Sequence, residues 1–302
     1  MEENLIYESQ KTKVYYSDTP EYNIPVVIKI LNDEFPTTKE IEQFYNEYEV
    51  AKEINITGIR KLHKKLKIKN KHALVMEYIK GISASELIKK QFLSIDLFLD
   101  IAIKIAEIIQ ELHQLNYIHH DISSHNLIIN IETKEVYLID LEHSKNLDLK
   151  IQHLGNPEKL EGNLAYISPE QTGRMNRVID YRTDMYSLGI TFYEIITGQL
   201  PFIKSDPMEL VHAHIATVPK NVSAIKPEIP SIISDIISTM MAKNAEDRYQ
   251  SGHGLIHDLK ECKFQWEAKN EIQHFRIKEK DNSGKFKIHQ KAQTQVIDQI
   301  VV

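Results

Sequence analysis

Apolar positions follow a strand-like rhythm up to about residue 79 and a helical one beyond it. Val14-Tyr15-Tyr16 and the β-branched run Pro25-Val26-Val27-Ile28-Lys29-Ile30-Leu31 read as strands within residues 5 to 31. One amphipathic helix interrupts this region at roughly Lys39 to Ile54, with Ile41, Phe44, Tyr48 and Ala51 at helical spacing. Strands return near Leu62–Leu66 and Ala73–Tyr78, and Lys80-Gly81 ends the pattern. Ser94 to Leu115 predicts a long helix capped by Ser94, its buried face running from Leu97 and Phe98 to Leu112 and Leu115. A hairpin over 127–139 precedes an aperiodic surface stretch over 143–165. The run from Asp184 to Thr197 is apolar nearly all round, which predicts a buried helix stopped by Gly198. Helices near 207–216, 231–242 and 254–268 follow. The pattern predicts an α+β chain: a β-rich part over 1–79, a larger helical part over 80–268, and a polar tail or linker over 269–302.

The polar residues that interrupt these apolar runs are the candidates for chemistry. Asp121 and Asn126 lie in a tight loop just ahead of the strand from Leu127. A carboxylate there can deprotonate a hydroxyl, and an amide oxygen can hold a divalent cation beside it. Lys29, inside an apolar strand, must either snorkel to water or find an anion. Glu47 on the following helix is a candidate partner, with Glu49 as its rival. Asp140, ending the second hairpin strand, is either a turn residue or a second metal ligand.

Composition narrows the class. A chain of 302 residues buries at least one large core, and a formal net charge of −6 does not fit a basic nucleic-acid-binding domain. No apolar run approaches the roughly 20 residues that span a bilayer, and Met1-Glu2-Glu3-Asn4 lacks the start of a secretory signal. The single Cys262 excludes an internal disulfide, fits a reducing compartment and reads as a packed residue. These features predict a soluble cytoplasmic protein with no nucleic-acid or membrane partner. His212 and His214, two apart, do not share a helix face as metal ligands would.

Taken together, the order and spacing of these residues resemble the protein kinase fold from about residue 5 to 268. The resemblance implies two lobes, a small β-rich one with one main helix and a larger helical one. Val27 to Lys29 resembles the strand lysine that holds nucleotide phosphates, and Glu47 the helix glutamate that pairs with it. Ser9, Thr12 and Val14 fall in the phosphate-covering loop, and Met76, Glu77 and Tyr78 resemble the hinge that receives adenine. The implied catalytic residues are Asp121, Lys29 and Glu47, the implied metal ligands Asn126 and Asp140, and the implied cofactors ATP and Mg²⁺. Ser168-Pro169-Glu170 resembles the motif closing the activation segment, with Glu170 paired to Arg248 and Asp184 bracing the catalytic loop. Ile167 to Arg177, Asp180 to Asp184 and Ala245 to Ser251 are similar to a bacterial branch: the serine/threonine kinase-like domain at the N-terminus of large hybrid sensor histidine kinases that carry an AAA-type ATPase region. The resemblance implies a protein substrate and, if the chain is a fragment, downstream signalling domains.

The pattern also departs from that family. Tyr7, Ser9 and Thr12 stand at the three glycine positions of the phosphate-covering loop, where only backbone amides remain to cradle phosphate. Asp140-Leu141-Glu142 replaces Asp-Phe-Gly, placing a second carboxylate near the metal ligands. Ser123 replaces a lysine that contacts the γ-phosphate, and Asn163 replaces the hydroxyl residue that touches the catalytic acid. His120 replaces the arginine that grips an activation-loop phosphate, and Asn146 to Ile167 contains no Ser or Thr, so control by phosphorylation of that loop is not expected. His119 reads as a support of the loop. Arg174 and Arg177 only hint at acidic targets and fit solvated arginines or internal salt bridges better. Three readings stand: an active serine/threonine kinase, a pseudokinase acting as a binding or scaffolding module, and a small-molecule phosphotransferase. Ser168-Pro169-Glu170 argues against the last, because that motif builds a protein-substrate platform.

Overall fold

A computed structural model describes residues 4–18, 24–90, 93–148, 162–175 and 177–281. The N-terminal part is an antiparallel five-stranded sheet. It is formed by β1 (Asn4–Glu8), β2 (Thr12–Ser17), β3 (Val26–Leu31), β4 (Leu62–Ile68) and β5 (Lys71–Glu77), in the order β1-β2-β3-β5-β4. Helix α1 (Thr38–Glu53) lies between β3 and β4 in the chain. Thr37 and Glu40 close a reciprocal capping box at its start, each side chain accepting from the other's backbone N–H. Strand parity decides what β3 presents. Val27 and Leu31 pack with Phe44 of α1, whereas Val26 and Ile28 pack with Ala73 and Val75 on the opposite face. Lys29 shares the parity of Val27 and Leu31, so its side chain is delivered towards α1. The deepest residues of α1 are Phe44, Glu47 and Val50, while Ile41, Tyr48 and Ala51 are only partly buried. The apolar stripe read from sequence is therefore rotated, because this helix faces a charged site as well as the sheet.

The helical part begins with β6 (Ile82–Ser83), α2 (Ala84–Lys90) and α3 (Ile95–Gln114). Ser94 caps α3 by accepting from Leu97 N at 3.2 Å, and Leu115, counted on the buried face from sequence, is 47% exposed at the C-cap. Next come β7 (Tyr117–Ile118), β8 (Leu127–Asn130), β9 (Glu135–Leu138) and β10 (Lys145–Asn146), with β8–β9 the expected hairpin. Helix α4 (Arg182–Thr197) is buried at every residue but Glu194, as its all-round apolar character requires, and ends on left-handed Gly198. Helices α5 (Pro207–Ala216), α6 (Val222–Ile225), α7 (Ser231–Met240) and α8 (Gly252–Lys269) complete it. Among the described residues no helix is long and apolar enough to cross a membrane.

The polar tail expected after residue 268 is, up to Asp281, a strap laid on the helical part. Ile272 is buried, and Phe275 and Ile277 pack on the main core. Lys278 donates through its backbone N–H to Asp258 (2.8 Å) and through Nζ to Arg248 O (2.7 Å). The Asp281 carboxylate accepts from Gln250 N (2.7 Å) and Ser251 Oγ (2.8 Å). Gly254 makes room for it, since a Cβ there would sit 2.6 Å from Asp281 Cβ. Asp281→Ala is expected to cost about 1–3 kcal/mol, the cost of leaving such donors unsatisfied. Thermal melts and faster amide exchange at Gln250 measure this, with Glu279→Ala, an exposed control, unchanged.

Candidate active site

The loop carrying Asp121 is held from below by α4. Asp184, fully buried, accepts from His119 N (2.8 Å) and His120 N (2.9 Å) and is hydrogen-bonded to His113 Nε2 at 2.8 Å. Gripping two successive amides fixes a sharp turn through His120, whose φ of 69° is left-handed. Burial raises the Asp184 carboxyl, but His113 and His119 together, through hydrogen bonds and charge, outweigh it and hold the group below its ordinary range. His119 Nδ1 accepts from Asp121 N (3.3 Å), so its Nε2 is the atom that donates to Ile139 O at 3.2 Å. Burial also lowers the basicity of that ring. Both ring nitrogens are committed, which makes His119 a brace between the two acidic strand ends.

Asp121 receives donors on both oxygens. Asn163 N donates to Oδ1 at 2.9 Å, and Asn126 Nδ2 donates to Oδ2 at 3.2 Å and to Asp121 O at 2.9 Å. The contact expected from the residue at position 163 is thus made by its backbone. Gly162 permits this approach: its φ is +84°, and a Cβ would lie 2.9 Å from Asp121 Oδ1. Burial pushes the Asp121 carboxyl above its usual range. Because Asn126 spends its amide nitrogen on Asp121, the atom it has left to offer is Oδ1.

Lys29 does not snorkel. Its Nζ lies 2.8 Å from Glu47 Oε2, 3.0 Å from Asp140 Oδ1 and 3.5 Å from Glu142 Oε2. Burial works to strip its proton, but Asp140, Glu47 and Glu142 together hold the ammonium protonated. Burial would raise Asp140, yet Lys29 outweighs it and keeps that carboxyl ionised below its usual range. Glu49, the rival partner, pairs instead with Lys65. Asp140 has a left-handed φ of 68°, a conformation aspartate tolerates better than most residues. Asn46, one residue before Glu47, donates to Leu141 O, Glu142 O and Ser144 O (2.9–3.3 Å), tying α1 to the chain after Asp140.

The nucleotide-facing positions are placed less openly. Val14 pairs directly across from Lys29. In the β1–β2 turn, Ser9 Oγ accepts from Lys11 N (3.2 Å) and Thr12 N (3.0 Å), while Ser9 N donates to Thr12 O (2.8 Å). Those three amides are therefore spent within the turn, which leaves fewer for a phosphate than the sequence allowed. At the sheet's end, Glu77 N donates to Lys61 O (2.9 Å) and Tyr78 N to Pro25 O (3.4 Å). The donor these two residues could give a base is likewise in use.

The segment beyond the loop is locked by buried polar contacts. Glu170 takes two hydrogen bonds from Arg248 (2.7 and 2.8 Å) and one from Thr183 Oγ1 (2.8 Å). Gln171 Nε2 donates to His120 O at 3.0 Å, a link from this segment to the Asp121 loop that sequence reading missed. Tyr166 is buried and its hydroxyl contacts Ser124 and Glu194, and Ser144 is buried against His119 O. Neither is an exposed acceptor. Ser123 is buried too, Arg177 pairs with Glu246, and Arg174 contacts Met208 Sδ at 3.7 Å. Residues 149–161 of the expected activation loop lie outside the described residues.

An α+β chain in which a strand lysine meets a helix glutamate and Asp140, with Asp121 near enough to Asp140 to feel its charge, has the architecture of a phosphotransferase. The protein kinase domain family profile matches residues 8–261, and the chain belongs to that family. It is similar to a probable serine/threonine-protein kinase of Clostridium perfringens, 31% identical over 258 residues that cover 83% of this chain and 36% of the relative. A probable serine/threonine-protein kinase of Clostridium acetobutylicum is 29% identical over 251 residues, covering 80% of this chain and again 36% of the relative. The chain thus spans about a third of the length of these curated relatives. Hybrid signal transduction histidine kinase G of Dictyostelium discoideum is 47% identical over 100 residues, which is 33% of this chain and 3% of that protein.

Proposed function

We propose that the chain is an ATP-dependent serine/threonine protein kinase that transfers the γ-phosphoryl group to a protein hydroxyl. The observation that carries this reading is the engaged Lys29–Glu47 pair with Asp140 on the same ammonium. Phosphoryl transfer depends on positioned charge, and that pair and the metal-binding Asp must both be in place. Lys29 holds the phosphates, Glu47 fixes Lys29, and Asp121 orients the acceptor hydroxyl and takes its proton. Burial raises the affinity of the Asp121 carboxylate for a proton, the direction that suits a group taking up a proton. Asn126 Oδ1 and the Asp140 carboxylate form an all-oxygen donor set that suits Mg²⁺, which prefers hard ligands and keeps waters and substrate phosphates as the rest of its shell. Consistent with so sparse a set, no group of three His, Cys, Asp or Glu converges as a metal cage among the described residues. When bound, the cation neutralises phosphate charge. With Glu77 N and Tyr78 N in use, the next amide, Ile79 N, is the donor we assign to adenine.

The spent amides of the β1–β2 turn favour a second reading, a nucleotide-binding or scaffolding module without transfer. In either case, if the chain is a fragment of a longer protein, the kinase unit would serve downstream signalling domains. Incubation with Mg²⁺, γ-labelled ATP and a generic protein acceptor, followed by phosphoamino-acid analysis, tests the first reading. Label on serine and threonine is expected. Label only on a small hydroxyl compound would assign the chain to small-molecule transfer.

A further inference from the structure

We propose that Glu142 makes nucleotide binding by this chain strictly dependent on a divalent cation, by holding Lys29 until a cation engages its carboxylates. The proposal rests on the reading of the cleft as an ATP site. Three carboxylates surround one ammonium, at 2.8, 3.0 and 3.5 Å. Glu47 fixes Lys29 and Asp140 serves the cation, which leaves Glu142 without an assigned role, at a position where the family resemblance places a glycine with no charge. Its contact is not an incidental surface encounter. The Glu142 side chain is 14% exposed, and α1 pins its backbone, Asn46 Nδ2 donating to Glu142 O at 3.0 Å. Even with Arg60 acting on Glu47 and Asp140, carboxylates outnumber cations in the cluster.

A triphosphate brings further negative charge and needs the Lys29 ammonium. Without a divalent cation it must compete with three fixed carboxylates for that one group, inside a partly buried site where charge interactions are weakly screened. The three amides spent within the β1–β2 turn weaken the other means of holding phosphate. With a divalent cation available, Asp140 and Glu142 exchange Lys29 for it, and Lys29 becomes free to pair with phosphate. Glu142 is therefore a positioning residue that acts through Lys29.

The test is the affinity for ATP by calorimetric titration, with Mg²⁺ and with EDTA, for wild type, Glu142→Gln and Glu142→Gly. In wild type, chelation is expected to abolish measurable binding. In both variants metal-free affinity is expected to rise by about tenfold or more, a change of one charge at contact distance. The same substitution placed on a Lys29→Met background is expected to give no such gain, a readout that a purely structural role for Glu142 would not produce. Unchanged metal-free affinity in the Glu142 variants would overturn the proposal, as would an equal gain without Lys29. Absence of any binding by wild type with Mg²⁺ would overturn the ATP-site reading along with it.

Discussion

Arg248→Met is expected to destabilise the protein by roughly 3–5 kcal/mol, the range for breaking a buried ion pair by removing one partner. Arg248 is fully buried, and its five N–H donors reach Glu170 Oε1, Glu170 Oε2, Arg182 O, Ala242 O and Lys243 O at 2.7–3.1 Å. Methionine keeps most of the apolar stem, so the loss reports charge and hydrogen bonding more than volume. Glu170 would remain buried without its cation. Burial alone raises the Glu170 carboxyl, but Arg248 outweighs it and holds the folded-state value below the usual range. The contribution of this pair is therefore fully present above the unfolded value of about 4.3 and is lost as pH falls through the lower folded value. Urea titration at pH 7 should show the full deficit in the variant, and the gap to wild type should narrow on acidification. Glu170→Gln added to Arg248→Met should recover part of the loss, because no orphan charge is left behind. A deficit under about 1 kcal/mol at pH 7 would mean the pair is no more than a surface bridge in energetic terms.

Lys29→Met is expected to lower phosphate transfer by about 10²–10³, the typical loss for one preorganised charge contact to the reacting group. Lys29→Arg should recover little of it, because a planar fork cannot meet Glu47 and Asp140 as a compact ammonium does. The substitution also has a signature in the folded state. Burial already holds the Glu47 carboxyl above its ordinary range, and without Lys29 it loses its strongest opponent and keeps only the smaller pull of Arg60. Glu47 would then take up a proton on folding, so the variant should gain stability as pH falls and lose it as pH rises through the raised folded value. Transfer rates alongside melts between pH 5 and 8 check both parts.

The residues at the centre of the site were legible because each broke a pattern: Lys29 in a β-branched strand, Asp121 and Asn126 just before one, Asp140 at the end of another. Strand parity then sends Lys29 towards α1, and Glu47 rather than Glu49 meets it because Glu47 lies on the inward face. What escaped reading has no periodic signature. Asn46 and Gln171 bond backbone carbonyls about 95 and 51 residues away, and nothing in their neighbours marks a polar side chain as reaching so far. Ser9 occupies a position read as part of a phosphate loop, yet its hydroxyl closes the turn on itself. The strap to Asp281 reads as a charged tail because its anchors are single residues, Ile272, Lys278 and Asp281, spaced without helix or strand rhythm. The helical part, by contrast, was readable almost throughout, since α3 and α4 owe their place to continuous apolar faces.

We propose that this site transfers phosphate and does not merely hold nucleotide. The measurement that tests it most directly is label incorporation from γ-labelled ATP with Mg²⁺ by the purified wild type beside Asp121→Asn. Asparagine keeps the acceptor atom for Asn163 N while removing the base. Incorporation by wild type is expected, with a rate about 10²–10⁴ lower in the variant, the usual worth of a positioned base. Equal incorporation by both proteins, or none by a wild type that still binds ATP, would contradict it.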